Sequence, residues 1–384
     1  MGWGLVKFDA EDSWRLTIPV FSICLFVCCV FCHGELASRK PAPAYLTSFY
    51  VMISSGGAFG ALLVTVAAPH LFDAFYELPL IMVVCGILAL ALNWRAPWRH
   101  RVVWACLTIA LAIFAVEAVQ VSLTGNRVVV RNFYGGLRVT DSGVGEGRVR
   151  TLIHGTINHG EQFLAPSRRR EPTTYYGRQT GIGLAIEGWR KPGERVGVIG
   201  LGTGTTASYG HAGDYYRYYD INPLIVRLAH EQFTFLSDSM AKIDIVLGDG
   251  RLSLERDPPQ HFDVLAVDAF AGDSIPVHLL TREALLLYRR HLKPDGVLAL
   301  HISNANLDLA PVAQKVAESV DRKAMLVSSD DDDNSDAFAA DWVLVPERAE
   351  SLNRPLFRSG KWLTQPVHVR AWTDDYSNLL QLLR

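Results

Sequence analysis

The chain lacks a basic excess: 37 Lys and Arg face 39 Asp and Glu across 384 residues, for a formal net charge of -2. A nucleic-acid reader carries such an excess, so nucleic acid is excluded as a partner class. With 49% hydrophobic residues, the chain is also not disordered as a whole. Cysteine is absent from the last two thirds. All six (Cys24, Cys28, Cys29, Cys32, Cys85 and Cys106) precede residue 107. The early region lacks charge instead: residues 1–124 hold 7 basic and 7 acidic residues, against 30 and 32 in the remaining 260. Two different solvents are implied.

Within the first region, Leu16–Cys32, Pro41–Pro69 and Leu78–Trp94 carry no charge, and Val102–Asn126 carries only Glu117. Polar stripes at helical spacing, which a soluble helical core requires, are missing. Four transmembrane helices are therefore expected, at about 16–33, 44–69, 76–94 and 102–122. The positive-inside rule does not orient them, because basic residues are shared evenly between the two sides. Ser54–Gly60 offers small residues for helix packing. Cys24, Cys28 and Cys32 are read as small apolar residues and not as a metal site.

The second region reads as an α/β domain. Arg127–Arg131, Leu137–Val139 and Val149–Ile153 look like strands of a small β unit over 125–172. From Arg195 onward, apolar strands alternate with amphipathic helices, which implies a mainly parallel, doubly covered sheet over 173–384. A last helix is expected at Tyr376–Leu383. Ligands of such sheets bind at the carboxyl ends of the strands, and every conspicuous motif falls there.

The first of these strands ends in Gly200-Leu-Gly202-Thr-Gly204-Thr, glycines that permit a tight turn and close approach of a ligand. The next helix would offer free N–H groups. The second strand ends in Asp220, the third in Gly248-Asp249-Gly250 and the fourth in Val267-Asp268. One acid per strand end is unusual, because burial selects against it. The spacing is not the Gly-x-Gly-x-x-Gly of nicotinamide sites, and no Gly-Lys-Ser/Thr follows. An adenosyl-sulfonium fits better, with ribose at Asp220, adenine near Asp249 and the sulfonium toward Asp268. Asp330–Asp333 reads as a solvated loop. His154, His159 and His301 are read as polar residues satisfying turns.

Gly200–Thr205, Asp220-Ile-Asn-Pro223, Gly248-Asp-Gly-Arg251 and Phe262–Asp268 resemble spermidine synthases. The likeness is greatest to a bacterial group in which a multi-span membrane region precedes a spermidine-synthase-like domain. Asn132-Phe-Tyr-Gly135, His159-Gly-Glu-Gln162, Pro172–Gly177 and Trp372–Asn378 extend the similarity. It implies a small β unit followed by a Rossmann-like domain of the class I methyltransferase type; most of that group carry more spans than the four-helix transmembrane region expected here, so the chain looks like a shortened version. It also implies transfer of an aminopropyl-type group from decarboxylated S-adenosylmethionine or S-adenosylmethionine to an amine, without a metal. Asp268 would take the proton of the attacking amine. Gly200, Gly202, Gly204, Asp220, Asp249, Gly250 and Gln162 would bind the cofactor, and Tyr175, Tyr176, Asp273 and Asp374 the acceptor.

The sequence departs from the family where the acceptor would bind. Arg168-Arg-Arg-Glu-Pro172 replaces an acidic pair, leaving Glu171 beside three arginines that repel a polyamine. A methyltransferase, or a non-catalytic polyamine or nucleotide sensor or transporter subunit, remain alternatives. The expected partners are a small amine and the lipid bilayer, with a homo-oligomer allowed. The expected place is the cell membrane, with the soluble domain in the cytoplasm.

Overall fold

The computed structural model describes residues 14–155, 157–269, 276–331 and 337–384. Asp273 and Asp332–Ser335 lie outside the described residues. The chain divides into two compact units, one up to Gly136 and one from Leu137 to Arg384.

In the first unit the uncharged runs form helices at Trp14–Ser38, Pro43–Leu71, Glu77–Leu92 and Trp98–Leu123. Pro43–Leu71 and Trp98–Leu123 are long and apolar enough to cross a membrane. Leu25–Ser38 and Glu77–Leu92 are shorter apolar helices. Pro43–Leu71 is broken by a π turn at Leu63–Ala67, just ahead of Pro69, whose missing N–H interrupts the regular ladder. Close helix contact does not occur at Gly56, Gly57 or Gly60, where an added Cβ would meet nothing within 4 Å. It occurs at Gly86, whose Cβ would lie 3.0 Å from Thr108 Oγ1 and 3.3 Å from Thr108 Cα. The unit closes on strand β1 (Asn126–Asn132), whose Arg131 is paired with Glu77 and sits 4.1 Å over the Phe75 ring.

The second unit opens with an antiparallel arrangement of β2 (Gly135–Ser142), β3 (Val149–His154) and β4 (Ile157–Phe163). Strand β4 has no counterpart in the sequence expectation. Its residues Ile157-Asn-His-Gly-Glu-Gln-Phe163 do not alternate apolar with polar, and a register shift separates Thr151 from Ile153 on its partner.

The main sheet has eight strands. They are β5 (Arg195–Ile199), β6 (Tyr215–Asp220), β7 (Lys242–Leu247), β8 (Phe262–Val267), β9 (Leu292–His301), β10 (Met325–Ser329), β11 (Ala340–Pro346) and β12 (Lys361–Trp362). Their order is β12-β10-β11-β9-β8-β5-β6-β7. Strands β9, β8, β5, β6 and β7 are parallel, whereas β11, β10 and β12 add antiparallel pairings. The sheet is thus mixed and not parallel throughout, because β11 runs antiparallel to both of its neighbours, β9 and β10. Helices Arg282–His291 and Ala310–Glu318 bury Leu285, Tyr288, Val312 and Val316 against it. The expected last helix is a single turn, Leu380–Leu382, and the tail is held by buried Trp372 and Leu382.

At the amino edge of the sheet three acids are buried: Glu194, Asp214 and Asp263. Asp263 is matched by Lys191 at 2.6 Å and Lys293 at 2.7 Å. Glu194 is matched poorly. Arg190 Nη1 is 3.4 Å from its carboxylate, whose oxygens have no hydrogen-bond partner among the described residues. Burial therefore pushes the Glu194 carboxyl up to about 8, with Arg190 opposing and Asp214 assisting.

Candidate active site

The opposite, carboxyl edge collects the motifs. Gly200 adopts φ +98° immediately after β5, and a Cβ there would stand 2.0 Å from the Asp268 carbonyl oxygen. Gly202, at φ +53°, brings its backbone against the His159 carbonyl, where a Cβ would lie 2.7 Å away. Only glycine fits either position. Gly204 caps a five-residue 3-10 turn, Thr205–Tyr209, and not the α-helix expected there.

Asp220 ends β6. Its Oδ2 accepts from Leu201 N at 2.9 Å and its Oδ1 from Asn222 N at 2.8 Å, so it ties the glycine turn to the next strand end. Burial raises its carboxyl to about 6, against the lowering effect of those two hydrogen bonds. Asp249 caps the helix Gly250–Arg256, accepting from Leu252 N at 2.8 Å, and lies 3.0 Å from His278 Nε2. Gly250 packs on Ile199, where a Cβ would fall 2.5 Å from Cγ2.

Asp268 is the centre of the edge. Its side chain is 5% exposed. Oδ2 accepts from the Tyr176 hydroxyl, and Oδ1 lies 2.7 Å from His301 Nδ1. The sheet register explains the second contact: β8 pairs with β9 at Val267↔Leu300, so the next residue of each strand stands beside the other. His301 is stacked on Trp342, with ring centroids 4.6 Å apart, and its Nε2 is 2.9 Å from Ser303 Oγ. It therefore serves the carboxylate and not a turn. Burial would raise the Asp268 carboxyl. His301 and the hydrogen bonds from His301 and Tyr176 outweigh that and hold it below the ordinary carboxylate range.

Tyr175 and Tyr176 follow Thr174, a β-branched residue at φ +53° whose buried hydroxyl has no hydrogen-bond partner among the described residues. Tyr175 donates to the Asn158 carbonyl at 3.0 Å, and its ring lies 4.8 Å from His301. Burial, then the Asp268 charge, raises both phenols well above 10, so both remain donors.

Other expected residues are engaged elsewhere. Gln162 spends its amide on Arg169 O and on both the Thr234 hydroxyl and N–H, at 2.9 Å each, so it braces the fold. Asp374 is bound by Arg251 (2.7 Å) and Thr281 (2.8 Å), in a cleft of about 500 Å³ that Asp249 and His278 also line. The arginine run is also less repulsive than the sequence suggests. Arg168 pairs with Glu171 at 2.8 Å and lies over Phe163, and Arg169 pairs with Asp238 at 2.9 Å.

No protein-family model matches the chain. In fold, the structure is similar to a probable spermidine synthase from Corynebacterium glutamicum (16% identity, TM-score 0.50), covering 66% of this chain and 98% of that one. In sequence, it is similar to polyamine aminopropyltransferases. One, from Vibrio vulnificus, is 33% identical over 128 residues, which is 32% of this chain and 41% of that protein. A probable polyamine aminopropyl transferase of Bifidobacterium longum is 31% identical over 162 residues, 40% of this chain and 33% of that protein. The match thus spans less than half the length of either curated relative.

Proposed function

We propose that the chain is a membrane-anchored transferase that moves an aminopropyl-type group from decarboxylated S-adenosylmethionine to an amine. The observation that carries this reading is the row of carboxylates at three strand ends, with Asp268 clamped between Tyr176 and His301. The turn at Gly200 and Gly202 packs its backbone against the Asp268 and His159 carbonyls, which sets the end of β5 beside both Asp220 and Asp268. Asp220 has acceptor capacity left for a ribose diol, since each oxygen takes only one backbone N–H. Asp249 and Gly250 would flank the base.

The chemistry follows from the charges. Asp268 attracts an incoming ammonium into the buried site, and Tyr175 and Tyr176 wall it. Once the amine is free, its lone pair attacks the carbon next to the sulfonium. A C–N bond forms, the C–S bond breaks, and the electron pair stays on sulfur as a neutral thioether. The two long apolar helices support a bilayer location for the first unit, and a cytosolic sulfonium nucleoside would require the second unit to face the cytoplasm. Amines that partition into the bilayer would reach such an enzyme readily.

Calorimetry of the full chain in detergent, with decarboxylated and intact S-adenosylmethionine, tests the proposal alongside methylthioadenosine release with putrescine, spermidine and dodecylamine. Binding of the decarboxylated form, with release abolished in Asp268→Asn, is expected. Preference for the intact form with methyl transfer would assign a methyltransferase, and binding of neither would sink both.

A further inference from the structure

We propose, on the transferase reading in which Asp268 takes the amine proton, that His301 is a positioning residue locked in one tautomer. Its hydrogen sits on Nδ1, Ser303 keeps it there, and Asp268 thereby meets the amine with a single orientation of its carboxylate.

The direction of each hydrogen bond follows from what each atom can do. Two donors surround Asp268 and its carboxyl lies below the ordinary range, so it is ionised and can only accept. His301 Nδ1, 2.7 Å from Oδ1, must therefore carry a hydrogen. The opposite tautomer would set two lone pairs against each other at that distance. Nε2 lies 2.9 Å from Ser303 Oγ. That oxygen already accepts from Asp341 N at 2.8 Å, which frees its own hydrogen to be donated to Nε2. The hydrogen bonds thus run one way, from the Asp341 N–H through Ser303 and His301 to Asp268. The two ring nitrogens are distinct, and the bond made by one decides the state of the other.

The sheet builds this line. Strands β9 and β11 pair His301 with Trp342, and Ile302 N donates to the Asp341 carbonyl at 2.9 Å, so Ser303 comes level with Asp341 N. The buried ring stacks on Trp342 with 13° between planes, and the Tyr175 ring lies 4.8 Å away. Trp342 Nε1 donates in turn to the Tyr175 carbonyl at 3.2 Å. Rings packed this closely oppose the half-turn that would take Nδ1 away from Asp268.

In turnover His301 keeps its hydrogen. Asp268 takes one proton from the ammonium, and the freed amine forms the C–N bond as the C–S bond breaks, with the electron pair left on sulfur. The product leaves as a secondary ammonium and Asp268 passes its proton to water, so one proton is released per turnover.

Two measurements on the full chain in detergent test this. In the nitrogen NMR spectrum of histidine-labelled protein, with His301 assigned by its loss in His301→Asn, Nδ1 should be protonated and Nε2 bare. A bare Nδ1, or hydrogens on both nitrogens, would overturn the tautomer. In turnover with decarboxylated S-adenosylmethionine and putrescine, spermidine or dodecylamine, His301→Ala should lower kcat by about 30-fold or more and leave the nucleoside KM within about threefold. His301→Asn can place an N–H where Nδ1–H stood and should regain about tenfold of that loss. His301→Gln, whose N–H falls at the Nε2 place, should not. Ser303→Ala should lower kcat by about twofold or more, because both tautomers are then open to the ring. Equal rates in the Asn and Gln variants, a loss carried by KM, or an unchanged kcat in Ser303→Ala would overturn the positioning role. A wild-type chain that releases no methylthioadenosine with any acceptor overturns the transferase reading itself, while the nitrogen spectrum still decides the tautomer.

Discussion

Replacing Glu194 by Gln should flatten the pH dependence of stability on the alkaline side of pH 4.5. In the unfolded chain this carboxyl titrates near 4.5, whereas in the folded protein burial holds it protonated up to about 8. Between those values the folded state keeps a proton that the unfolded state has released. Unfolding is therefore favoured as pH rises, by about 1.4 kcal/mol for each pH unit. Across the full window this amounts to roughly 5 kcal/mol lost, complete once pH passes about 8. The opposing pull of the Arg190 guanidinium, 3.4 Å away, is already contained in that value. Of that loss about 4 kcal/mol falls between pH 5 and pH 8.5, so at about 2–4 °C per kcal/mol for a unit of this size the melting temperature should drop by roughly 8–16 °C. Tryptophan fluorescence of the full chain in detergent, scanned at several pH values, reads this directly. Glu194→Gln should match wild type near pH 4.5 and melt well above it at pH 8.5. Parallel profiles for the two proteins would refute the claim that Glu194 is buried without an adequate partner.

Nucleoside affinity should weaken as pH falls through about 6, where Asp220 gains a proton and loses half its acceptor capacity. Calorimetry of methylthioadenosine against Asp220→Asn, which should bind weakly and without that pH dependence, checks it. Gly200→Ala should cost roughly 3 kcal/mol or more, from a Cβ driven into the Asp268 carbonyl and from a positive φ, and the melting temperature reads the loss. Tyr176→Phe should reduce methylthioadenosine release by about 10-fold or more, because one of the two donors clamping Asp268 is removed. Asp374→Asn should leave turnover unchanged and reduce only thermal stability, because its carboxylate serves Arg251 and Thr281.

The acids at the strand ends were legible because polar residues closing apolar β runs break the pattern that burial imposes. Asp220, Asp249 and Asp268 all lie where the alternation predicts. The helices of the first unit were legible for the same reason, as uncharged runs of sufficient length. Strand direction was not legible. Periodicity distinguishes strand from helix but is blind to polarity, so the antiparallel β10 and β11 passed as part of a parallel sheet, and the two-residue β12 gave no signal at all. The partner of Asp268 was hidden as well. His301 lies 33 residues away and meets it only through the β8–β9 register, which no local pattern encodes. A signal was nonetheless present, since His301 ends its own apolar strand as Asp268 nearly ends its neighbour. The partners of Asp374 and Gln162 were hidden because a polar residue near a motif carries no mark of which partner it will choose.

Thr174 carries a consequence for how this protein would evolve under selection in the laboratory. A threonine at φ +53° is a position where Gly or Asn should raise the melting temperature, by relieving about 1–2 kcal/mol of backbone strain. A library screened only for heat tolerance should therefore enrich Thr174→Gly or Thr174→Asn early. The same change would loosen the hinge that aims two tyrosines at one carboxylate, so the enriched clones should trade turnover for robustness. Thr174 would then mark a residue maintained by what the site does, against what the fold alone prefers.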